Sequence, residues 1–416
     1  MTSDYLRAIK SALTGSATTP LALVCNFEAE ARWATNYVGL PAAAVSASTD
    51  VVRRMEQLGA LLAGPDDVLI ASHDLDPGFR RYAEELGFAL PQVLVPERTG
   101  GSTTENAIAS PELLKALHGR QLLPMGTTVD EEKLADAAGI ELAVPVADVF
   151  ERVNGKIYSR RLVDGTGLRP VPGHTVETVA ELDAILADVT EPVVVKDSYG
   201  VSGKGLVVLD SPIKVKGLLK LVHRRAARTG DDRLHVVVEH WLPKRCDLNY
   251  QFTVARDGSV TFDFVKQALT EQGVHKGHIM PAELSDAQHE ELRHAARVVG
   301  TQLHRDGFHG VAGVDAIVGA DEVLHPVLEI NARLNMSTYQ GGVVERLVPP
   351  GHTCLARHYP IGDSGFADVR RVLPPGVVVT CFGTAAAGRL YTMSFARDRA
   401  ALEALDAATT TALETL

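Results

Sequence analysis

The stretch VVVKDSYGVSGKGLVVL, residues 193–209, decides how the chain is interpreted. Three glycines, Gly200, Gly203 and Gly205, and two lysines, Lys196 and Lys204, lie here between apolar runs. A Walker A loop needs GxxxxGK followed by Ser or Thr, and a dinucleotide loop needs GxGxxG; the stretch has neither pattern. Both flanking runs read as strands, so no helix N-terminus can hold a phosphate. The stretch predicts a glycine flap over a hairpin that covers a phosphate chain with backbone N–H groups, with a mobile surface hairpin as the alternative.

A second group of polar residues lies in two apolar segments, GVAGVDAIV (310–318) and HPVLEINAR (325–333), which read as adjacent strands. Glu329 and Asn331 are two residues apart and therefore share one face of a strand, and Arg333 continues that face. Asp315 lies within the other strand. Two carboxylates and an amide on one sheet face predict a magnesium site open to phosphate oxygens, with a charged edge pair facing water as the alternative.

A third segment, LHVVVEHWLP (234–243), reads as a buried strand that ends at Glu239 and leaves the sheet through His240, Trp241 and Leu242. Such a strand end can offer backbone groups to the edge of a base and apolar walls to its faces. By itself the segment is only a strand end.

The composition bounds the class of protein. A chain of 416 residues predicts two or three domains. The net charge of −11, from 52 acidic and 41 basic residues, argues against non-specific nucleic-acid binding. The four cysteines are scattered without a CxxC pair, which disfavours a disulfide framework or a zinc site. The chain lacks a membrane-length apolar run and an apolar signal core, so we expect a soluble, cytoplasmic protein.

The order of predicted elements indicates two kinds of fold. Strands over 20–27, 66–72 and 90–97 alternate with helices over 51–62 and 77–87, which predicts a parallel α/β layer. A further helix is expected between a Thr128–Glu131 cap and a stop at Gly139. From about residue 151 the pattern changes, and the strands and helices predict an antiparallel α+β region. The strands are 192–197, 206–209, 234–240, 249–255, 260–266, 311–318 and 323–330, with helices over 212–229 and 286–307, a hairpin over 375–398 and a terminal helix.

The three segments, in this order, resemble the ATP-grasp superfamily. The sequences KDSYGVSGKG and EINARLNMSTYQGG together are most similar to those of pheganomycin-type peptide ligases. The resemblance implies an α/β N-terminal domain followed by an α+β ATP-grasp fold, in which two α+β subdomains clamp ATP. The implied domains are 1–150, the pre-ATP-grasp domain; 151–240, the lid subdomain with the flap; and 241–416, the large subdomain with the metal site and a C-terminal extension.

The resemblance also implies a ligand set of ATP and two Mg²⁺ ions, for which Mn²⁺ could substitute. The matching ATP-site positions are Lys156 and Lys196 as the two ATP lysines; Gly200, Val201, Ser202, Gly203, Lys204 and Gly205 as the flap; Glu239, His240, Trp241 and Leu242 as the adenine hinge; and Asp247 as the ribose acid. The matching metal ligands are Asp315, Glu329 and Asn331. Arg333, Lys196 and Lys204 are the residues expected at the transferred phosphate.

One departure from the family pattern concerns the transition state. Several ligases have an arginine two residues before the metal aspartate, and Gly313 stands there in this chain. Arg333, or Arg293 from the long helix, would have to supply that charge. For the substrates, we expect the segment 266–284 to be a loop that presents His275, Lys276 and His278, and we expect Ser337 or Thr338 to lie near a carboxylate.

The resemblance implies a carboxylate–amine ligase that forms an amide through an acyl phosphate and releases ADP and phosphate, in natural-product biosynthesis. Its substrates would be small molecules or peptides, without nucleic acid or membrane partners; homo-oligomerisation stays open. Three alternatives also stay open. They are a ligase that loads a carrier-protein thiol, with the basic segment 214–225 as the docking surface, a non-catalytic ATP-binding module, and a biotin carboxylase role.

Overall fold

The computed structural model of the chain describes residues 2–41, 49–98, 100–200, 205–271 and 274–416, and the strands in these ranges form three sheets. Part of the predicted flap, Val201, Ser202, Gly203 and Lys204, lies outside the described residues, as does the side chain of His275. Within the described ranges, the helices are too short or too polar to span a bilayer.

The N-terminal part alternates helices with the strands of a parallel sheet. Its elements are α1 Asp4–Thr14, β1 Leu21–Val24, α2 Ala29–Trp33, α3 Thr49–Arg54, β2 Val68–Ile70, α4 Pro77–Glu85, β3 Gln92–Leu94, α5 Thr103–Ile108, α6 Pro111–Ala116, β4 Gln121–Pro124, α7 Val129–Ala138, β5 Glu141–Leu142 and α8 Ala147–Val153. The strand order is β3-β2-β1-β4-β5. Leu21 and Leu23 pack into one core and Ala22 and Val24 into another, because helices cover both faces of the sheet. The predicted parallel layer is confirmed.

Local signals in this part succeeded at one helix and failed at another. Thr128 and Glu131 form the expected capping box of α7, and Gly139 ends the helix with φ +62°. The predicted helix over 51–62 is wrong in its second half, because α3 ends at Arg54 and Met55–Leu61 is a 3-10 helix. A Cβ at Gly59 would lie 2.7 Å from the Cys25 sulfur, so this segment is held tightly against β1 by packing that helical periodicity does not report.

The middle part of the chain forms a small antiparallel sheet, called the lid sheet below. Its elements are α9 Lys156–Thr166, β6 Gly173–Thr178, α10 Val179–Ala187, β7 Val193–Asp197, β8 Leu206–Leu209, α11 Pro212–Thr229 and β9 Arg233–His240. The strand order is β6-β9-β7-β8. Val193 and Val195 of β7 pack with α10 and α11 into a separate core. Side chains alternate along a strand, so Val194 and Lys196 face the other way.

The C-terminal part forms an eight-stranded antiparallel sheet, called the central sheet. Its elements are β10 Lys244–Val254, β11 Val260–Glu271, β12 Val274–Met280, α12 Asp286–Arg305, β13 Gly310–Gly319, β14 Leu324–Asn331, α13 Met336–Leu347, β15 Thr353–Pro360, α14 Phe366–Val372, β16 Val377–Cys381, β17 Arg389–Ala396 and α15 Arg399–Leu413. The strand order is β14-β13-β10-β11-β12-β15-β17-β16. The predicted loop over 266–284 is therefore wrong for most of its length, since β11 and β12 form an antiparallel pair there.

The central sheet is covered on one face by a helix and is continued by the strands of the C-terminal extension. Helix α12 covers one face with its buried positions Leu292, Ala295 and Val299, as its periodicity predicted. The C-terminal extension continues the same sheet, because β15 pairs with β12 and β17 pairs with β15. The predicted hairpin over 375–398 is confirmed as β16 and β17. The extension also contacts the N-terminal part, where the rings of Phe366 and Phe79 meet edge to face at 5.8 Å.

Candidate active site

A cavity of about 360 Å³ separates the lid sheet from the open face of the central sheet. The lid contributes Val194, Lys196 and Leu206, and the chain passes from one sheet to the other along the same cavity. Fifteen of the residues named from the sequence line this cavity: Lys156, Lys196, Gly200, Gly205, Glu239, His240, Trp241, Leu242, Asp247, His278, Asp315, Glu329, Asn331, Arg333 and Ser337. Residues separated by almost two hundred positions in the chain therefore surround one space.

Two carboxylates lie side by side in the cavity wall. Asp315 on β13 and Glu329 on β14 are directly opposite in the antiparallel register, so their side chains share one face. Burial, with a further contribution from Glu329, raises the pKa of Asp315 to about 6. Asn249 donates a hydrogen bond to Asp315 Oδ1 at 2.8 Å, and Lys156 Nζ donates to Glu329 Oε1 at 2.8 Å. Two neighbouring carboxylates in a buried wall repel each other when both are ionised, so the pair favours a bound cation.

The donor set fits magnesium better than a fully protein-enclosed metal. Asp315, Glu329 and Asn331 offer oxygen ligands, which Mg²⁺ prefers, and Mg²⁺ commonly takes one or two carboxylates together with substrate phosphates. Among the described residues, no group of three or more His, Cys, Asp or Glu side chains is placed to hold a metal ion. An open site completed by phosphate oxygens is therefore the arrangement that these residues suit.

Arg333 reaches the cavity from a different position than the sequence predicted. Strand β14 ends at Asn331, so Arg333 lies in the turn beyond it rather than on the strand face. Its guanidinium forms an ion pair with Glu30 of α2 and donates to Asn331 Oδ1 at 3.0 Å. Glu30 itself lines the cavity. Glu30 had no local signal in the sequence, because its partner is 303 residues away.

The lid side of the cavity carries a second ionic group. Lys196 Nζ lies 2.6 Å from Glu239 Oε2, and Arg160 Nη1 lies 3.7 Å from Glu239 Oε1. Lys196 and Glu239 come from neighbouring strands β7 and β9, which explains why residues 43 positions apart meet. Arg160, on α9, was missed because nothing in its helical segment distinguishes it from a surface residue.

The predicted adenine hinge lies at the end of β9, where the chain leaves the lid sheet. Trp241 donates its backbone N–H to Pro192 at 2.9 Å, and its side chain remains partly exposed. Asp247 accepts hydrogen bonds from Lys244 Nζ and from Thr270 Oγ1, both at 2.7 Å. Lys244 and Thr270 also line the cavity and were missed from the sequence. These two hydrogen bonds hold the Asp247 carboxylate in place a few residues after the hinge.

Three residues proposed for the substrate do not reach the cavity wall. The expectation for Arg293 is wrong: it is exposed on α12 and lies 5.9 Å above Phe262, on the face of the sheet opposite Asn249. Lys276 is in β12 but is not part of the lining, whereas His278 is. Thr338 is buried one layer below and donates to Gln251 at 2.7 Å.

Comparisons with known proteins agree with this geometry. A family described as "Pre ATP-grasp domain" matches residues 55–140, and the ATP-grasp domain family matches residues 162–336. The [Butirosin acyl-carrier protein]--L-glutamate ligase of Niallia circulans is 24% identical over 310 residues, covering 74% of this chain and 70% of that protein. The carbamoyl phosphate synthase large chain of Pseudomonas syringae pv. tomato is 23% identical over 207 residues, covering 48% of this chain but 18% of that protein.

Solved structures show the same fold at low sequence identity. The ADP complex of N5-carboxyaminoimidazole synthetase from Staphylococcus aureus has a TM-score of 0.59 at 12% identity and covers 94% of this chain and 97% of that one. A biotin carboxylase from Campylobacter jejuni has a TM-score of 0.58 at 12% identity and covers 93% and 89% of the two chains. The chain belongs to the ATP-grasp superfamily.

Within that superfamily the chain is a ligase. The predicted class, an ATP-grasp ligase, is confirmed. The predicted fold, an α/β domain followed by the two α+β layers of the grasp, is confirmed as well. The likeness to the butirosin ligase is consistent with the pheganomycin-type subgroup suggested by the sequence.

Proposed function

We propose that this ligase activates an organic carboxylate as an acyl phosphate and joins it to an amine in natural-product biosynthesis. One observation carries the proposal. Lys156, Lys196 and Arg333 line the same cavity between the two sheets as the Asp315–Glu329 pair. This arrangement pairs basic side chains for phosphate oxygens with oxygen ligands for a divalent cation, which is what phosphoryl transfer requires.

The proposed reaction has two steps. A carboxylate oxygen of the first substrate attacks the γ-phosphorus of ATP, the bond to the β-phosphate oxygen breaks, and ADP leaves with that electron pair. The amine nitrogen of the second substrate then attacks the acyl carbon, inorganic phosphate leaves, and the nitrogen loses a proton to give the amide. Both steps need positioning and charge compensation, and neither needs a nucleophilic side chain.

Each group of cavity residues has a proposed role. Lys196 and Arg333 compensate the charge that spreads over the transferred phosphoryl oxygens, and Lys156 binds the inner phosphates. Asp315, Glu329 and Asn331 would hold Mg²⁺, which supplies positive charge to the phosphate oxygens when bound. Glu239 and Leu242, with the hinge between them, hold adenine, and Asp247 holds the ribose. Gly200 and Gly205, the described ends of the flap, would carry Lys204 and its neighbours over the phosphates.

Exclusion of water is the role proposed for the flap in this scheme. An acyl phosphate hydrolyses if water reaches it before the amine does, so the flap must close over the intermediate. The flap joins β7 and β8, and their pairing through Lys196 and Leu206 anchors it on both sides.

A carrier-protein thiol is the second candidate acceptor. It is favoured by the similarity to a ligase whose name includes an acyl-carrier protein, over 74% of this chain. The chemistry differs only in the second step, in which a thiolate sulfur attacks the acyl carbon and a thioester forms. The amine and thiol acceptors share the first step and all the residues assigned to it.

One experiment separates these possibilities. The protein is incubated with ATP, Mg²⁺ and pooled amino acids, with and without a phosphopantetheinylated carrier protein, and nucleotide and product masses are measured. We expect ADP rather than AMP, together with an amide or a carrier thioester. Glu329→Gln should lower ADP release by about 100-fold or more, while Glu290→Gln, on the outer face of α12, should not. Formation of AMP, or full activity of Glu329→Gln, would contradict the proposal.

A further inference from the structure

A single row of side chains crosses the open face of the central sheet. Glu329, Asp315, Asn249 and Lys266 are successive cross-strand partners on β14, β13, β10 and β11. Residues directly opposite in antiparallel strands project to the same side of the sheet. Lys266 therefore lies on the same face as the two carboxylates. With strands about 4.8 Å apart, its Cα is roughly 10 Å from that of Asp315.

Lys266 is a buried cation without an acidic partner among the described residues. The residue is 3% exposed, and its Nζ donates to Gln340 Oε1 at 3.0 Å and lies 4.8 Å above the ring of Phe264. Burial lowers the pKa of Lys266 to about 8. An ammonium group has three N–H donors, and burying it without a counter-charge is costly. Its retention at this depth calls for an anion that is not part of the described protein.

The surroundings of Lys266 connect it to the cavity. Asn249, its neighbour on β10, and Ala268, two residues further along β11, both line the cavity. Gln340, which binds Lys266, lies three residues after Ser337 on one face of α13. Ser337 lines the cavity, is 1% exposed, and its hydroxyl has no hydrogen-bond partner among the described residues. Lys266 is not itself part of the lining, but its unmatched charge lies directly behind the lining residue Asn249, and the unmatched hydroxyl of Ser337 lies in the wall nearby.

We propose that Lys266 binds a substrate carboxylate that does not react, at the place where the cavity wall formed by Asn249 and Ala268 meets the buried lysine. This inference rests on the proposed function and adds a requirement to it: one of the two substrates carries a free carboxylate in addition to the groups that are joined. Ser337 Oγ supplies a neutral hydrogen bond to the same group, and Gln340 fixes the direction of the lysine. An amino acid or a peptide has the required chemistry.

The row would also keep the ATP phosphates apart from the substrate carboxylate. In the proposed function, the phosphate oxygens would lie near Asp315 and Glu329, which would hold the cation, on the side where Lys156 and Arg333 lie. The Asn249 amide stands between that side and Lys266 and is already bound to Asp315. Lys266 is thus too far along the row to replace a phosphate-binding residue, and its removal should affect carboxylates and not nucleotides.

The test is a binding measurement that does not depend on turnover. Wild type and Lys266→Met, in complex with ADP and Mg²⁺, are titrated with acetate, succinate and L-glutamate, and with acetamide and L-glutamine amide as matched probes, at constant ionic strength. Methionine retains the length and apolar body of the lysine, so folding should be preserved. Lys216→Met, on an exposed turn of α11, is the control. Thermal unfolding and calorimetry give the affinities.

We expect at least one carboxylate probe to bind wild type more tightly than its amide, and Lys266→Met to weaken that binding about tenfold or more. The affinity for ADP should stay within about threefold of wild type in both variants. Equal carboxylate binding by Lys266→Met and wild type would overturn the proposal, as would the absence of carboxylate binding to wild type. A matched loss of ADP affinity would show instead that Lys266 serves the nucleotide. A ligase assay that fails while these results hold would reject only the proposed reaction.

Discussion

Replacing Glu30 by glutamine should slow phosphoryl transfer, because Glu30 orients Arg333 from another domain. The side chains of Arg333 and Glu30 are 13% and 11% exposed, so their ion pair is largely shielded from water. Removing one partner of such a pair costs about 3–5 kcal/mol, but glutamine keeps an acceptor for the guanidinium, so we expect a loss of about 2 kcal/mol. If that loss appears in the transition state, ADP release falls about 30-fold.

The assay compares ADP release by wild type and Glu30→Gln at saturating ATP, with ADP affinity and urea unfolding measured alongside. Glu112→Gln is the matched control, since Glu112 pairs with Lys115 on the exposed surface of the same domain. That control should change the free energy of unfolding by less than about 0.5 kcal/mol and leave activity intact. If Glu30→Gln loses stability but releases ADP at the wild-type rate, Arg333 is a link between domains and not a participant in transfer.

Three further predictions concern other parts of the chain. Lys196→Met should weaken ADP binding about tenfold in calorimetry, because it removes a donor from the cavity and leaves Glu239 with Arg160 at 3.7 Å. Tyr250→Phe should be neutral or raise the free energy of unfolding by about 1 kcal/mol, since the Tyr250 hydroxyl is buried without a hydrogen-bond partner among the described residues. Burial raises the pKa of Glu56 to about 7, above the roughly 4.3 of an unfolded chain, so the folded state holds the additional proton between these values. The free energy of unfolding of wild type should therefore fall relative to Glu56→Gln as pH rises from about 4 to 7, by up to about 3 kcal/mol.

Each of these has a result that would count against it. Lys220→Met, on the exposed side of α11, controls for the loss of a positive charge and should bind ADP normally. A clear loss of stability in Tyr250→Phe would mean that the hydroxyl has a partner. Parallel urea-unfolding curves for wild type and Glu56→Gln across pH 4 to 8 would show that Glu56 has an ordinary pKa.

Much of the fold was accessible from local pattern. The apolar run that ends at Lys196 predicted strand β7, and the long apolar stripe of 286–307 predicted α12. Failures arose where tertiary packing outweighed periodicity. Met55–Leu61 became a 3-10 helix against β1, and the segment 266–284 became part of a sheet because β11 and β12 continue it towards the C-terminal strands.

Some residues of the candidate site could be predicted from local sequence pattern, and others could not. Asp315, Glu329 and Asn331 could be named because acids within apolar strands stand out, and neighbouring positions on a strand determine which side chains share a face. Arg293 was misplaced because a helix pattern shows which residues face the core and not which side of the sheet the helix covers. The domain boundaries at 150 and 240 and the role of Lys204 remain predictions.

The sequence by itself determined the two kinds of layer and the acidic strands, since each depends on residues close together in the chain. Only the tertiary structure decided that Glu30 orients Arg333, that Arg160 joins Glu239, and that Lys266 shares a row with the metal-type carboxylates. Those pairings follow from strand register and domain packing, in which residues far apart in the chain are brought together by the burial of apolar surface. A local pattern carries no record of which distant partner that burial will select.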